Sequence, residues 1–157
     1  MAMGILELLA ENEEHIARLY RLYAEKLPKF RDFWTQLAGE EIEHASWIRD
    51  FANGVKDKTL YLDEKRFPKE ALQTYREYLD GSIEKANRKG IDTISAFTTA
   101  FYIEESLIEL KFFEVIDSGS EDFDKVLLRL KKATAEHNNR IKEYWTKVKD
   151  AGREDIF

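Results

Sequence analysis

Four long stretches of the chain repeat apolar residues every three or four positions, and this periodicity is the strongest constraint on the fold. Residues at that spacing lie on one face of an α-helix, so each stretch predicts a helix with a buried side. The third stretch, for example, has the apolar residues Ile94, Phe97 and Phe101 at this spacing, followed by the polar residue Glu104. The predicted helices are A (3–27), B (30–52), C (92–117) and D (121–149), and no segment alternates apolar and polar residues for long enough to predict a sheet.

The connections between these helices predict how they are arranged. Short links join A to B and C to D, which favours two antiparallel hairpins. The segment between B and C, 54–91, is long; we expect its first part, 54–67, to be irregular and its second part, from Pro68, to be helical. Because that segment can run the length of a bundle, B and C are expected to be parallel. The sequence therefore predicts an all-α antiparallel four-helix bundle with a long, partly helical crossover, as one domain over 1–157.

Each predicted helix interrupts its apolar face with polar residues near its middle. These residues are Glu13 in A, Glu41 and His44 in B, Glu104 in C, and Thr134 and His137 in D. In a bundle, mid-helix positions share one level, so the polar side chains are expected to converge in the interior. Three buried carboxylates are costly without compensation, because desolvation and like charges both oppose ionisation. A bound cation would remove that cost.

A Glu-x-x-His motif occurs once intact and once altered. Residues 40–48, "EEIEHASWI", contain Glu41 and His44, whereas residues 133–141, "ATAEHNNRI", align His137 with His44 but place Thr134 opposite Glu41. Glu-x-x-His pairs on facing helices are typical of two-metal carboxylate sites in helical bundles, and their ligands suit iron or manganese. The repeat therefore predicts a buried metal site that lacks one carboxylate.

Composition excludes several classes of function. The chain has no cysteine, so disulfides, thiolate zinc sites, iron–sulfur clusters and thiol nucleophiles are excluded, and any metal must be held by nitrogen and oxygen. A formal charge of -6 disfavours nucleic acid or an anionic membrane surface as a partner. No run approaches the roughly 18 apolar residues of a membrane span, and no basic region precedes the apolar N-terminal patch. A cytoplasmic protein is expected.

Three stretches resemble the rubrerythrin branch of the ferritin-like superfamily. "ENEEHIARLY" resembles the first-helix pattern in which a ligand glutamate precedes a tyrosine by seven residues, here Glu13 and Tyr20. "EEIEHASWI" resembles the second-helix motif, with Glu41 and His44. "AFYIEESLIELKFF" resembles the third-helix segment, where the ligand corresponds to Glu104. The resemblance covers essentially the whole chain, including the long crossover.

This resemblance implies a ferritin-like bundle that binds non-haem iron, one or two ions per chain, or manganese, and that reacts with peroxide or oxygen. The implied metal ligands are Glu13, Glu41, His44, Glu104 and His137. Glu41 would bridge two ions, Glu13 and Glu104 would cap them, and each histidine would ligate one. Tyr20 is the candidate catalytic residue, with packing in the core as its alternative role. A homodimer is expected.

Two departures from the family pattern change the expected function. Thr134 stands where the fourth-helix motif has a glutamate, so two divalent ions with three carboxylates would leave the site at +1, and one ion would leave it at -1. We therefore expect fewer ions, or a more weakly held second ion, than in a complete family member. A rubredoxin-like module would need cysteines, so electrons would come from a separate donor protein.

Several alternatives stay open at the level of sequence. A small error in helical phase would turn Glu11 or Glu14 inward instead of Glu13, or Glu105 instead of Glu104, and Glu136 is a possible substitute ligand. His15 is interpreted as a surface residue. The alternative functions are iron binding or storage, and a bundle that has lost its metal and acts as an interaction module.

Overall fold

The structure of the protein, a computed structural model, describes residues 2–56, 60–62, 69–105, 116–118 and 121–154. Within these ranges the chain forms α1 (Ala2–Lys26), α2 (Arg31–Lys56), β1 (Leu60–Leu62), α3 (Lys69–Lys89), α4 (Thr93–Glu105), β2 (Ile116–Ser118) and α5 (Glu121–Glu154). The protein is a helical bundle, as the periodicity predicts. None of the helices in this part of the chain is long and apolar enough to cross a membrane. That residues 1–157 form one domain stays a prediction.

Helices α1 and α2 form an antiparallel hairpin. Leu27, just after α1, has φ -123° and ψ 73°, because the residue before a proline is disfavoured in the helical region. Pro28 then opens a short 3-10 helix, Pro28–Phe30, that leads into α2. The rings of Tyr23 and Trp34 lie 5.0 Å apart between centroids, close to this turn. Farther from the turn, His44 faces Glu13, so the two helices run in opposite directions.

Helices α4 and α5 form the second antiparallel pair. Near the start of α4, the Trp145 indole donates a hydrogen bond to Thr98 (3.1 Å) and stacks on Phe101 at 4.9 Å between centroids. Near the end of α4, Glu104 lies 2.9 Å from His137. Sequence position therefore rises along one helix and falls along the other, so α4 and α5 are antiparallel, as the sequence predicts for helices C and D.

Helices α2 and α4 run in the same direction. Trp34 packs on Phe97 with ring centroids 4.7 Å apart, and seven residues later on both helices Glu41 and Glu104 belong to one cluster. The long connection therefore joins two parallel helices, as the sequence predicts. Its helix, α3, ends at Lys89, and Gly90 adopts a positive φ of 71°, the left-handed conformation that commonly follows a helix C-terminus.

Polar contacts attach α3 to α1 and α4. The Asn12 side chain donates to the carbonyl oxygen of Leu72 (3.3 Å) and accepts from Arg76 Nε (2.8 Å). On the other side, the Tyr75 hydroxyl donates to the carbonyl oxygen of Ile103 (3.3 Å). Asn12 is buried, so these bonds satisfy groups that would otherwise lose water without replacement. The crossover helix therefore covers one side of the bundle.

Two sequence predictions about helix C are corrected. Helix C is predicted to reach residue 117, but Ile116 and Asp117 belong to β2, which pairs antiparallel with β1. Strands of three residues are too short to show alternation, and the partner lies far away in sequence. Residues 106–115 lie outside the described residues. Ile94, expected on the core face, is 48% exposed because the buried face of α4 is centred on Ala96 and Ala100, to one side of the predicted stripe.

Candidate metal centre

The five predicted ligands converge at one level of the bundle. They come from α1 (Glu13), α2 (Glu41 and His44), α4 (Glu104) and α5 (His137), and their exposure ranges from 0% for Glu41 to 8% for Glu104. They form two groups, Glu13–Glu41–His44 and Glu41–Glu104–His137. Within each group the candidate ligand atoms all lie within 4.8 Å of one another, and Glu41 belongs to both groups.

The first group lies between α1 and α2. His44 Nδ1 is 3.4 Å from Glu41 Oε2, which is one turn earlier on the same helix, and 3.9 Å from Glu13 Oε2 on the facing helix. The i,i+3 spacing puts the imidazole and the Glu41 carboxylate on one face of α2. The antiparallel hairpin then brings Glu13 to the same point.

The second group joins α2, α4 and α5. His137 Nε2 lies 2.7 Å from Glu41 Oε1 and 2.9 Å from Glu104 Oε1. The His44 and His137 rings are 5.7 Å apart between centroids, so the two groups are adjacent. The two oxygens of Glu41 face different groups, Oε2 toward His44 and Oε1 toward His137.

The carboxylates and imidazoles strongly affect one another's protonation. Burial by itself lowers the pKa of His137, but the Glu104 and Glu41 carboxylates and the hydrogen bonds to Glu104 and Glu40 outweigh burial and raise this pKa well above its usual value. Burial by itself raises the pKa of Glu41, but the attraction to His137 and hydrogen bonds to neighbouring side chains, Glu13 first, hold it well below the usual value. The buried carboxylates therefore favour a positive charge next to them at this level of the bundle.

Tyr20 lies at the edge of the second group. Its fully buried hydroxyl donates a hydrogen bond to Glu104 Oε1 (2.8 Å), and its ring stacks on the His137 imidazole at 6.4 Å between centroids. Burial, reinforced by the Glu104 and Glu41 carboxylates, raises the pKa of Tyr20 well above its usual value. The phenol therefore stays protonated and able to donate. The candidate catalytic residue is thus in direct contact with a candidate ligand.

Glu40 and Arg140 take part in the centre and were not identified from the sequence. His137 Nδ1 lies 3.1 Å from Glu40 Oε2, and the other Glu40 oxygen accepts a hydrogen bond from the Arg140 guanidinium. Burial raises the pKa of Glu40, but the bonds to His137 and Arg140 outweigh it and lower the value. In the sequence, the only indication of their role is position: Glu40 precedes Glu41, and Arg140 follows His137 by three residues. This spacing predicts a contact between them only when α2 is known to pack on α5.

The structure resolves the alternatives of helical phase. Glu11 pairs with Arg76 (2.7 Å) and Glu14 pairs with Arg49, so neither joins the cluster. Glu105 and Glu136 are exposed. Glu13 and Glu104 are therefore the carboxylates that face inward on their helices, although their role as metal ligands stays a prediction.

Thr134 is buried on α5, one turn before His137, on the face that the sequence predicts. His15 is not a simple surface residue, in contrast to its interpretation from sequence. It is half-buried between α1 and α3, with Nε2 3.4 Å from Asp80 Oδ1. Burial, followed by the positive charge of Arg76, lowers its pKa.

The donor set fits a metal ion. The buried groups offer carboxylate oxygens and imidazole nitrogens, which are the ligands that iron, manganese and other divalent transition metals use in proteins, and a cation would balance carboxylates that burial otherwise disfavours. These buried groups can hold a metal ion. Comparison of the chain with protein-family models, with curated proteins and with solved structures finds no match.

Proposed function

We propose that the protein is a rubrerythrin-like member of the ferritin-like superfamily, with a non-haem iron or manganese carboxylate centre that reduces peroxide or reacts with oxygen. One observation carries this proposal: two buried Glu–Glu–His groups share Glu41. A shared carboxylate between two identical donor sets is the arrangement expected of a two-metal site in a helical bundle. The resemblance over the whole chain adds the reaction class.

Each side chain has a role in holding the metal. Glu41 would bridge, because its two oxygens face the two groups. Glu13 and Glu104 would each cap one position, and His44 and His137 would each supply one imidazole nitrogen. Bound iron or manganese would supply the redox chemistry that the O–O bond requires and that none of these side chains supplies.

The rest of the centre controls water and protons. Tyr20 stays protonated and donates to Glu104 Oε1, which holds that carboxylate in one orientation. Trp34 and Phe97 pack one to two turns from the cluster and are buried, so they limit access of water from that side. Since the chain has no cysteine to hold an iron–sulfur or rubredoxin-type centre, the electrons would come from a separate donor protein.

The test is to load the protein with ferrous iron without oxygen, measure bound iron, and then add peroxide while recording the visible spectrum. We expect tightly bound iron that oxidises faster than iron in buffer. Glu41→Gln should lose this property, whereas Glu43→Gln, a matched change at an exposed position of the same helix, should keep it. Bound iron that oxidises no faster than in buffer would indicate storage instead and would contradict the proposal.

A second candidate function, a bundle without metal that acts as an interaction module, is favoured by one contact. His137 Nε2 lies 2.7 Å from Glu41 and 2.9 Å from Glu104, so a protonated imidazole offsets part of the negative charge of these carboxylates without a metal. Absence of bound iron in the same loading experiment would support this candidate and exclude the first.

A further inference from the structure

We propose that the outer face of α3 is an interface between two copies of this chain, which pack antiparallel through this helix around a two-fold axis beside Gly81. The family resemblance leads to the expectation of a homodimer, but it does not locate the interface. The residues of this face lie outside the candidate metal centre. The inference therefore does not rest on the proposed function.

Three residues form a row along the outer face of α3. Glu77, Gly81 and Lys85 are four residues apart, so they are neighbours on one side of the helix. All three are exposed, whereas Leu79 and Ala86 bury the other side of the helix against the bundle. Rows of residues four apart form the ridges that interdigitate in the commonest class of helix packing in globular proteins. The row is therefore a surface on which a second helix can pack.

The charges of this row are complementary to the row itself. In a two-fold contact the same patch meets itself, so residues at equal distances on either side of the axis face each other. With the axis at Gly81, Glu77 of one copy faces Lys85 of the other, and the same pair forms a second time. No described residue forms an ion pair with either charge, whereas Glu84 and Arg88 pair with each other at 2.6 Å. Charge complementarity thus favours a second copy as the partner.

The centre of the row has no side chain that would hold two helices apart. A Cβ atom on Gly81 would meet nothing within 4 Å, so packing within one chain does not require glycine there. Glycine inside a helix is less stable than alanine, and close approach of a second backbone is a physical reason for it. Gly39, at a similar exposed position of α2, has Thr35 and Glu43 at the same offsets. Those two residues are not complementary charges, so the arrangement is specific to α3.

A surface depression of about 300 Å³ lies beside the row and provides apolar area for the contact. Tyr78 and Gly81 line it from α3, and Thr99 lines it from α4. The Tyr78 ring is 38% exposed and lies 5.3 Å from the ring of Tyr102, which is 59% exposed. Tyrosine is enriched in protein–protein interfaces. In the proposed dimer the two depressions face each other across the axis, and the exposed rings beside them become covered.

The experiment measures the mass of the metal-free protein by sedimentation equilibrium over a range of concentrations. We expect a monomer–dimer equilibrium. Glu77→Lys and Lys85→Glu should each raise the dissociation constant of the dimer about 10-fold or more, because each change replaces two attractive pairs with two repulsive pairs. An equimolar mixture of these two variants should form a heterodimer, since opposite charges then meet at both contacts. Glu43→Lys, at an exposed position of α2, is the matched control and should leave the dissociation constant unchanged.

A second measurement tests the position of the axis. The chain has no cysteine, so Gly81→Cys introduces a single thiol. Two such thiols beside the axis can form a disulfide when their Cα atoms are about 4.4–6.8 Å apart. With oxidised glutathione, Gly81→Cys should form a covalent dimer, whereas Gly39→Cys, the matched change at an exposed glycine of α2, should not. Non-reducing electrophoresis distinguishes the two results.

Several results would overturn the proposal. A monomer at every concentration would show that this face does not bind a second copy, and would leave it to a different partner. A dimer that both single charge reversals leave unchanged would place the interface elsewhere. A mixture of the two reversal variants that stays monomeric would exclude the antiparallel contact, and equal cross-linking of Gly39→Cys would exclude the axis at Gly81. None of these results bears on iron binding, which the loading experiment tests separately.

Discussion

At the scale of single residues, the centre depends on polar groups that are buried together. Three carboxylates, two imidazoles and a phenol meet where the surrounding side chains are apolar. Each group is acceptable there only because another group balances its charge or satisfies its hydrogen bonds. Substitutions at these positions should therefore have effects that depend on whether a metal is present.

Tyr20→Phe is expected to lower the free energy of unfolding of the metal-free protein by about 2 kcal/mol, because a hydrogen bond to a charged carboxylate is lost. Urea denaturation measures this change. Tyr23→Phe is the matched control: Tyr23 is also buried, but its partner is the neutral Thr99, so its loss should be about 1 kcal/mol. Equal losses for the two variants would contradict the proposed importance of the Glu104 contact.

Thr134→Glu should act in opposite directions with and without metal. Without metal, a fourth buried carboxylate lacks a balancing charge and should cost about 3 kcal/mol or more of stability. With metal, the same carboxylate supplies the missing ligand and should strengthen binding of the second ion. Denaturation with and without Zn²⁺ measures both effects. Thr134→Gln has the same shape without the charge, and it should not strengthen the second ion; if it does, the added charge is not the cause.

At the scale of elements, helix ends and interhelical contacts place the site residues. The start of α4 sets the rotation and level of Glu104. Asp92 caps this helix: Oδ1 accepts from the Ser95 backbone N–H (2.8 Å), and Oδ2 accepts from the Ser95 hydroxyl (2.8 Å). These bonds, the backbone bond first, lower the pKa of Asp92.

Asp92→Ala should lower stability at neutral pH by about 1 kcal/mol, whereas Asp92→Asn, which keeps a side-chain acceptor, should lower it less. Because the folded-state pKa of Asp92 is depressed, its contribution is complete above the unfolded value of about 3.9 and is lost as pH falls through the lower folded value. The difference between the native protein and Asp92→Ala should therefore shrink in acid. Urea titrations at several pH values measure it, and a difference that grows in acid would be inconsistent with the cap.

At the scale of the whole molecule, the centre links four helices through one small volume. Glu13, Glu41, Glu104 and His137 each lie on a different helix, and Glu41 is common to both groups, so ions held by the two groups would oppose separation of α1, α2, α4 and α5. Metal binding to the folded chain should therefore appear as global stability.

Saturating Zn²⁺ or anaerobic ferrous iron, at about 100 times the dissociation constant, should stabilise the protein by about 2.7 kcal/mol, or roughly 5–10 °C in Tm. A chelator should reverse this increase. His44→Gln and Glu41→Gln should reduce it, while His15→Gln, which changes a histidine between α1 and α3, should retain it. An equal increase in all four proteins would show that the ion binds elsewhere. Thermal unfolding followed by circular dichroism is the measurement.

Much of the bundle and the residues of its centre were predictable because both depend on local spacing. Apolar residues three and four positions apart predict α1, α2 and their buried faces. The same spacing puts Glu41 and His44 on one face of their helix, and Thr134 and His137 on one face of theirs. The lengths of the links predict the helix directions. Prediction failed where long-range pairing decides the structure, as for Ile116 and Asp117 in β2, and where alanines define the buried face, as around Ile94.

The sequence by itself determined which residues are available to the centre: five candidate nitrogen and oxygen ligands at helical spacing, no thiolate, and a threonine at one position of the repeat. Periodicity encodes these features because a helix turns by a constant angle per residue. Only the tertiary structure decided that Glu13 rather than Glu11 or Glu14 faces inward, that Glu41 is common to both groups, and that Glu40 and Arg140 orient His137. These relations depend on the rotation and packing of four separate helices, and residues nearly a hundred positions apart carry no local signal of meeting.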